Sequence, residues 1–355
     1  MSRVMIIGGG LSGCVVATEL AQNGASTIIV EASGRIGGKA RGYGCKATDK
    51  CNNCGVCLVG GLWEKVETNP NIDIVLNSTP VDATGKPGDY TVVVKTINGI
   101  CNTSDRNKAI GEGNIEIGEG NIAIGGISSI VVATGFEEFE AGVIGGHLHI
   151  DGMEGVLFGA ELEAICRGRG IAALFEETPD SVAFIQCVGS RDKKEGAMYC
   201  SRVCCGYSTR AAKVIRHYYP GCAITFFYME MQAVQRGDYY RQLEGLGIEF
   251  IKCRPLKVWG GRPVRIGYEG ADGDGILYRE FDKVFLSEGI HPAKGADKLA
   301  EIFGLGQDAN GFLGVIGDAG TKGVFVTGCA KQPLKIEEAY ADSIAVAKEL
   351  LNSKL

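Results

Sequence analysis

The chain has 355 residues, with 36 Lys and Arg against 42 Asp and Glu, a net charge of -6 and a pI of about 5.5. That length predicts about two domains with a sizeable core, and the acidic balance lacks the basic footprint by which nucleic-acid binders hold phosphate. The 54 glycines beside only 9 prolines exclude a collagen-like or disordered composition and imply many tight turns and close backbone approaches.

The first apolar run, Val4-Met5-Ile6-Ile7, is too short for a secretory segment, and no run approaches the ~18 residues a membrane helix requires. The expectation is a soluble, cytoplasmic protein. In a reducing compartment its 14 cysteines read as metal ligands or redox thiols before they read as disulfides.

Residues 3 to 7 form a predicted buried strand, 12 to 23 an amphipathic helix and 26 to 30 a second buried strand. The turn between them is Gly8-x-Gly10-x-x-Gly13, and the second strand ends on Glu31, the register of a dinucleotide-binding fingerprint. The helix start at Leu11, Ser12 and Gly13 offers free N–H groups to phosphate, and Glu31 offers acceptors to ribose hydroxyls. Glu31-Ala32 continues through Arg35, Gly37, Gly38 and Lys39, which resembles the E-x-x-x-R-x-G-G-[RK] continuation of FAD-binding flavoproteins. FAD is therefore the expected ligand of this first site.

Residues 90 to 97, a glycine-punctuated tract and residues 127 to 132 read as a small meander followed by a buried return strand. Within the tract, residues 111–117 and 118–124 repeat one seven-residue pattern of alternating Ile and Gly, suited to strands and turns. The return strand ends in Ala133-Thr134-Gly135, resembling the element that brings the chain back against FAD in flavoproteins with two dinucleotide domains.

A second strand-helix-strand unit is predicted from the strand starting at Ser181, a helix over 201 to 217 and a strand over 222 to 229. Its turn lacks the glycine fingerprint and carries Cys187-x12-Cys200-x3-Cys204-Cys205 instead. Four thiolates from a strand end, a loop and a first helical turn suit a [4Fe-4S] cluster, whose negative charge the helix N-terminus offsets. An earlier set, Cys45-x5-Cys51-x2-Cys54-x2-Cys57, has the CxxCxxC look of an iron-sulfur element without its Cys-Pro end. Zinc ligands or redox thiols are equally open readings there.

Strand 283–287 leads to Glu288-Gly289-Ile290-His291-Pro292, and strand 323–327 leads to Gly328-Cys329-Ala330 and a helix over 335–351. Related flavoproteins carry T-G-D at this last position, its Asp meeting the ribityl chain, so Cys329 alters one FAD contact. His147, His149, His217 and His291 read as surface or turn residues, Tyr218-Tyr219 and Phe226-Phe227 as core, and Cys14, Cys101, Cys166, Cys222 and Cys253 as packing residues. Arg191 and Arg202 flank cluster candidates and either tune their charge or serve as surface residues.

The stretches QCVGSRD and YCSRVCC followed by a helix, GGK before a cysteine-rich turn ending NPNI, and the late GCA resemble the A-type component of heterodisulfide reductase (HdrA) and its homologues. The resemblance covers nearly the whole chain and favours the short form of Hdr-like complexes in sulfur oxidisers, then a quinone-interacting complex of sulfate reducers.

It implies a thioredoxin-reductase-like α/β fold of two Rossmann-like domains in three ββα layers. The FAD domain is expected over 1–142 and 286–355, and the second domain, with the cluster on Cys187, Cys200, Cys204 and Cys205, over 143–285. It further implies an FAD and [4Fe-4S] electron-transfer subunit in sulfur or disulfide metabolism, with iron-sulfur partner subunits of the B and C types, a homodimer when isolated and no activity alone. The rival readings are an NAD(P)H-dependent disulfide reductase using a CxxC, and an iron-sulfur scaffold without FAD.

Overall fold

The computed structural model describes residues 3–96, 115–118, 120–139, 148–168, 170–231, 243–271, 275–315 and 323–353. The chain divides into two compact units, one of residues 1–41, 57–137 and 292–355, the other of 42–56 and 138–291.

The first unit is built on five parallel strands in the order Val324–Val326, Ser129–Val132, Arg3–Ile7, Ser26–Val30, Ile72–Val75. These strands read as near-continuous apolar runs because both faces of the sheet are covered. On one face lie the helices Leu11–Gln22 and Ile336–Asn352, meeting the sheet through Val15, Leu20, Ile6, Ile29, Val346 and Leu350. On the other lies an antiparallel sheet in the order Ser78–Lys86, Asp89–Thr96, Asn121–Ile127, Ile115–Gly118, whose Val92, Val94 and Ile124 pack on Met5, Ile28 and Ile130. Part of the seven-residue repeat thus lies in the meander; residues 111–114 and Glu119 fall outside the described residues, as do Cys101 and His147.

The second unit repeats the plan with different strands. Its parallel sheet runs Val156–Phe158, Lys283–Glu288, Ser181–Val188, Ala223–Tyr228, Ile248–Lys252. The helices Gly159–Gly168 and Cys204–Tyr218 cover one face around Phe184, Phe226 and Ile215. A four-stranded sheet, His149–Asp151, Lys257–Trp259, Val264–Glu269 and Ile276–Phe281, covers the other around Phe227, Ile266 and Phe281. Each unit is therefore a three-layer ββα sandwich of Rossmann type. No helix among the described residues is long and apolar enough to cross a membrane.

The units divide after Glu137 and His291, where the sequence reading placed 142/143 and 285/286, and the segment 42–56 belongs to the second unit. The physical reason is polar. This segment has no apolar strand of its own, and its buried Lys46 pairs with Glu163, while Arg210 donates to the carbonyls of Asn52 and Asn53.

Candidate functional sites

In the first unit the carboxyl ends of three parallel strands meet at the glycine turn, the place where α/β sheets bind ligands. Gly8 N–H donates to Val30 O at 2.8 Å, Ala133 N–H to Ile7 O at 2.8 Å and Gly37 N–H to Gly9 O at 2.7 Å. A Cβ on Gly13 would lie 1.9 Å from Gly8 O, so only glycine lets the Leu11–Gln22 helix start this close to its strand. Around Gly10 a Cβ would meet nothing within 4 Å, which leaves the backbone approachable beside the helix N-terminus.

Glu31 has a role that its sequence position did not reveal. Its Oε2 accepts from Gly9 N–H at 2.7 Å, and its Oε1 accepts from the N–H and hydroxyl of Ser33 at 2.8 and 2.7 Å. The carboxylate thus braces the glycine loop and retains lone pairs for a further donor. Ala32 and Arg35 are exposed, and Lys39 pairs with Glu137 at 3.4 Å over the Phe136 ring. The hydroxyl of Thr134, next to Gly135, is buried with no hydrogen-bond partner. An orphaned hydroxyl at the mouth of a dinucleotide cradle is the mark of a place that a ligand completes.

The Gly328-Cys329-Ala330 turn packs on the start of the first helix. Gly328 has φ +66°, and a Cβ there would lie 2.0 Å from Ser12 Oγ. Asp342, absent from the sequence reading, holds the turn: its Oδ2 accepts from Thr327 Oγ1 at 2.8 Å and Gly328 N–H at 2.9 Å, and its Oδ1 faces Lys331 at 3.2 Å. Nothing in the sequence flagged it, because an acid inside a C-terminal helix is ordinary. Cys329 is buried, its thiol donating to Leu334 O at 3.4 Å, and burial pushes it up to about 11.

In the second unit, Cys187 ends a strand, Cys200 lies in the following loop, and Cys204 and Cys205 open the helix. The thiol of Cys204 is hydrogen-bonded to those of Cys187 and Cys205, and Cys200 lies within electrostatic reach of Cys187 and Cys205. The bond from Cys204, with Arg191 and Arg254 nearby, holds Cys187 down to about 7 against its burial, while Cys204 is pushed well up by bonding to its neighbours and by burial. Burial also raises Cys200, whose Sγ accepts from Arg202 N–H at 3.3 Å. Cys187, Arg191 and Arg202 all have left-handed backbone, at φ +61°, +54° and +62°. Strain of this kind in three non-glycine residues marks a turn shaped for its side chains.

Among the described residues no group of three or more His, Cys, Asp or Glu is arranged to hold a metal ion. The chemistry of the donor set nonetheless fits a thiophilic group, with four cysteines on one turn, an N–H donor to sulfur, and a helix N-terminus. Position 189 admits only glycine, because the Phe139 ring would lie 2.3 Å from a Cβ there and φ is +68°.

Two neighbouring side chains secure this turn, Glu288 in a role unforeseen in the sequence and His291 in the turn role that was one of the two given to it there. Glu288, buried, accepts the N–H groups of Gly159 and Ala160 at 2.7 Å each and the Tyr207 hydroxyl at 3.1 Å, capping the Gly159–Gly168 helix. His291 bonds Gly189 O at 2.5 Å and lies tilted against the Phe139 ring, so it serves the turn rather than the surface.

The earlier cysteines are placed differently. Cys45 and Cys51 are exposed and Cys54 half-buried in the second unit, whereas Cys57, also exposed, belongs to the first. Cys14 and Cys222 are buried and Cys166 and Cys253 partly so, as packing residues should be.

Residues 6–57 match the family model of the NAD(P)-binding Rossmann-like domain. The chain is 27% identical to the A-type component of the ferredoxin:CoB-CoM heterodisulfide reductase of Methanosarcina mazei, over 98% of this chain and 53% of that protein. It is 33% identical to the A-type component of the H(2):CoB-CoM heterodisulfide,ferredoxin reductase of Methanothermobacter thermautotrophicus, over 62% of this chain and 36% of that protein. The chain thus spans about half the length of the first of these relatives. Among solved structures, T. acidophilum thioredoxin reductase superposes with a TM-score of 0.62 at 15% identity, covering 99% of this chain and 98% of that one, a likeness of fold.

Proposed function

The chain belongs to the family of A-type heterodisulfide reductase components (HdrA), and from that premise we propose that it is an FAD and [4Fe-4S] electron-transfer subunit of a heterodisulfide-reductase-like complex. FAD would be held by Gly8, Gly10, Leu11, Ser12, Gly13, Glu31 and Ala32, by the Arg35 to Lys39 turn, by Ala133-Thr134-Gly135 and by Gly328-Cys329-Ala330. The cluster would be held by Cys187, Cys200, Cys204 and Cys205.

One observation carries the reading. The strand-to-helix turn of the second unit, which cradles phosphate in a dinucleotide-binding domain, carries four cysteines, three of them hydrogen-bonded sulfur to sulfur. A flavin, when bound, exchanges electrons in pairs or singly, and an iron-sulfur cluster exchanges them singly. The chain's own residues supply the settings. The N-terminus of the Leu11–Gln22 helix would face a pyrophosphate and Thr134 would offer it an unused hydroxyl, while the Cys204–Tyr218 helix N-terminus, with Arg191 and Arg254 beside Cys187, would temper the negative charge of a bound cluster.

Disulfide or sulfur metabolism, a cytoplasmic location, iron-sulfur partner subunits and dependence on them for activity follow from the same premise. The test is an absorption spectrum with iron, sulfide and FAD analysis of protein purified without oxygen, beside Cys204→Ala and Cys54→Ala variants. The expected result is FAD and four irons in the parent protein, with iron lost in Cys204→Ala alone. Rapid bleaching of the flavin by NADH or NADPH without a partner would overturn the reading in favour of a free-standing disulfide reductase.

A further inference from the structure

Residues 44–54 have no regular secondary structure, yet they are fastened by buried charge. Lys46, only 4% exposed in its side chain, pairs with Glu163 on the Gly159–Gly168 helix and donates to Gly44 O at 2.9 Å. Arg210, on the Cys204–Tyr218 helix, donates from Nε to Asn52 O at 2.9 Å and from Nη2 to Asn53 O at 2.8 Å, and Asn52 Nδ2 donates to Lys46 O at 2.6 Å. Burying two charges to hold a surface loop is costly, and one attested return for that cost is a fixed geometry. The element so fixed is Cys51-Asn52-Asn53-Cys54. Asn53 has φ +48°, and its N–H donates to Cys51 Sγ at 3.4 Å, the local bond that Arg202 makes to Cys200. That bond and the left-handed turn at Asn53 hold the Cys51 sulfur against its own loop. Cys51 is exposed and Cys54, half-buried, is three residues away in the same unit.

We propose that Cys51 and Cys54 form a thiol–disulfide exchange site for small disulfides, with Cys51 the attacking and Cys54 the resolving sulfur. The Cys51 thiolate attacks one sulfur of R–S–S–R, so that a Cys51–S–R bond forms, the S–S bond breaks and one R–S⁻ leaves. Cys54 then attacks the Cys51 sulfur, closing a Cys51–Cys54 disulfide and releasing the second R–S⁻. The two cysteine protons pass to the two leaving thiolates. The substrate gains two electrons and the cysteine pair loses two, and a second thiol pair running the exchange backwards restores the site. This chemistry does not depend on FAD or a cluster being bound.

The test exposes the purified protein to oxidised glutathione without oxygen, then alkylates free thiols and maps them by peptide mass spectrometry. The expected product is a Cys51–Cys54 disulfide in the unaltered chain and a glutathione adduct on Cys51 in Cys54→Ser. Asn53→Pro, which removes the N–H and the left-handed turn, is expected to slow capture at Cys51 about tenfold, while Asn53→Gly preserves it. Equal glutathione labelling of Cys45, Cys51 and Cys57 would overturn the proposal, as would loss of iron from Cys51→Ser, which would make these thiols ligands. FAD and iron measured on the same samples, with thermal melting of each variant, separate this outcome from failure of the electron-transfer reading or of folding.

Discussion

Cys204, in the first turn of its helix, is hydrogen-bonded through sulfur to Cys187 at the end of the neighbouring strand. The bond separates two chemically identical groups. Cys187 is held down to about 7, and Cys204 keeps its proton well above the ordinary thiol range.

In metal-free protein, thiolate absorbance should therefore show one group titrating near pH 7 that disappears in Cys187→Ser. Cys204→Ala removes the bond and leaves burial to act alone, so the same group should move upward. An unchanged titration in Cys204→Ala would mean that Arg191 and Arg254, not the sulfur bond, set the value.

Gly328→Ala should destabilise the first unit by about 1–3 kcal/mol, since it adds strain at a left-handed φ to a clash with Ser12 Oγ. FAD retention, measured after gel filtration, should fall with it. Adding Ser12→Ala to Gly328→Ala removes the hydroxyl from the clash and should recover part of the melting temperature, whereas Ser12→Ala alone should change it little.

Lys46→Met takes from the buried Glu163 its ion-pair partner, leaving it the Gly44 backbone and the more distant Arg210, and should cost about 3 kcal/mol by denaturant unfolding. Burial raises Glu163 even with its partner present, so in the variant it should take up a proton more readily still. The double variant Lys46→Met with Glu163→Leu should be closer to the parent than Lys46→Met alone. Proteolysis within residues 44–54 is the local readout of loop release.

Glu288 is raised above 4.5 by burial, against the helix N–H groups and the Tyr207 hydroxyl that it accepts. A group bound more tightly to its proton in the folded state adds stability below its unfolded value of 4.5 and loses it as pH rises through the raised value. Glu288→Gln should therefore flatten stability against pH above 4.5. It should also cost about 1–3 kcal/mol at neutral pH, since the two N–H groups meet different oxygens and the Gln Nε2 that replaces one of them cannot accept. Parallel pH curves for parent and variant would exclude this assignment.

Much of the fold was legible in local sequence. The strands at 3–7, 26–30 and 181–188 are apolar on both faces, and the turn at Gly8, Gly10 and Gly13 sits where backbone meets backbone. Such features depend on neighbours a few residues away, so spacing reports them. Cys187, Cys200, Cys204 and Cys205 were legible for the same reason, all four falling on one strand-to-helix turn.

The assignment of 42–56 to the second unit was not legible, because it rests on Lys46 meeting Glu163 and Arg210 meeting Asn52, pairs 117 and 158 residues apart. Asp342 beneath Gly328 and Glu288 at the Gly159–Gly168 helix are of the same kind. By itself the sequence determined the two Rossmann-like frames and which turn carries glycine and which carries sulfur, since apolar period and turn chemistry are local. Only the tertiary structure decided which of fourteen similar thiols are buried together, which is held down, and which pair stands exposed on a fastened loop. Burial and hydrogen bonding to sulfur are properties of the packed environment, and no spacing encodes them.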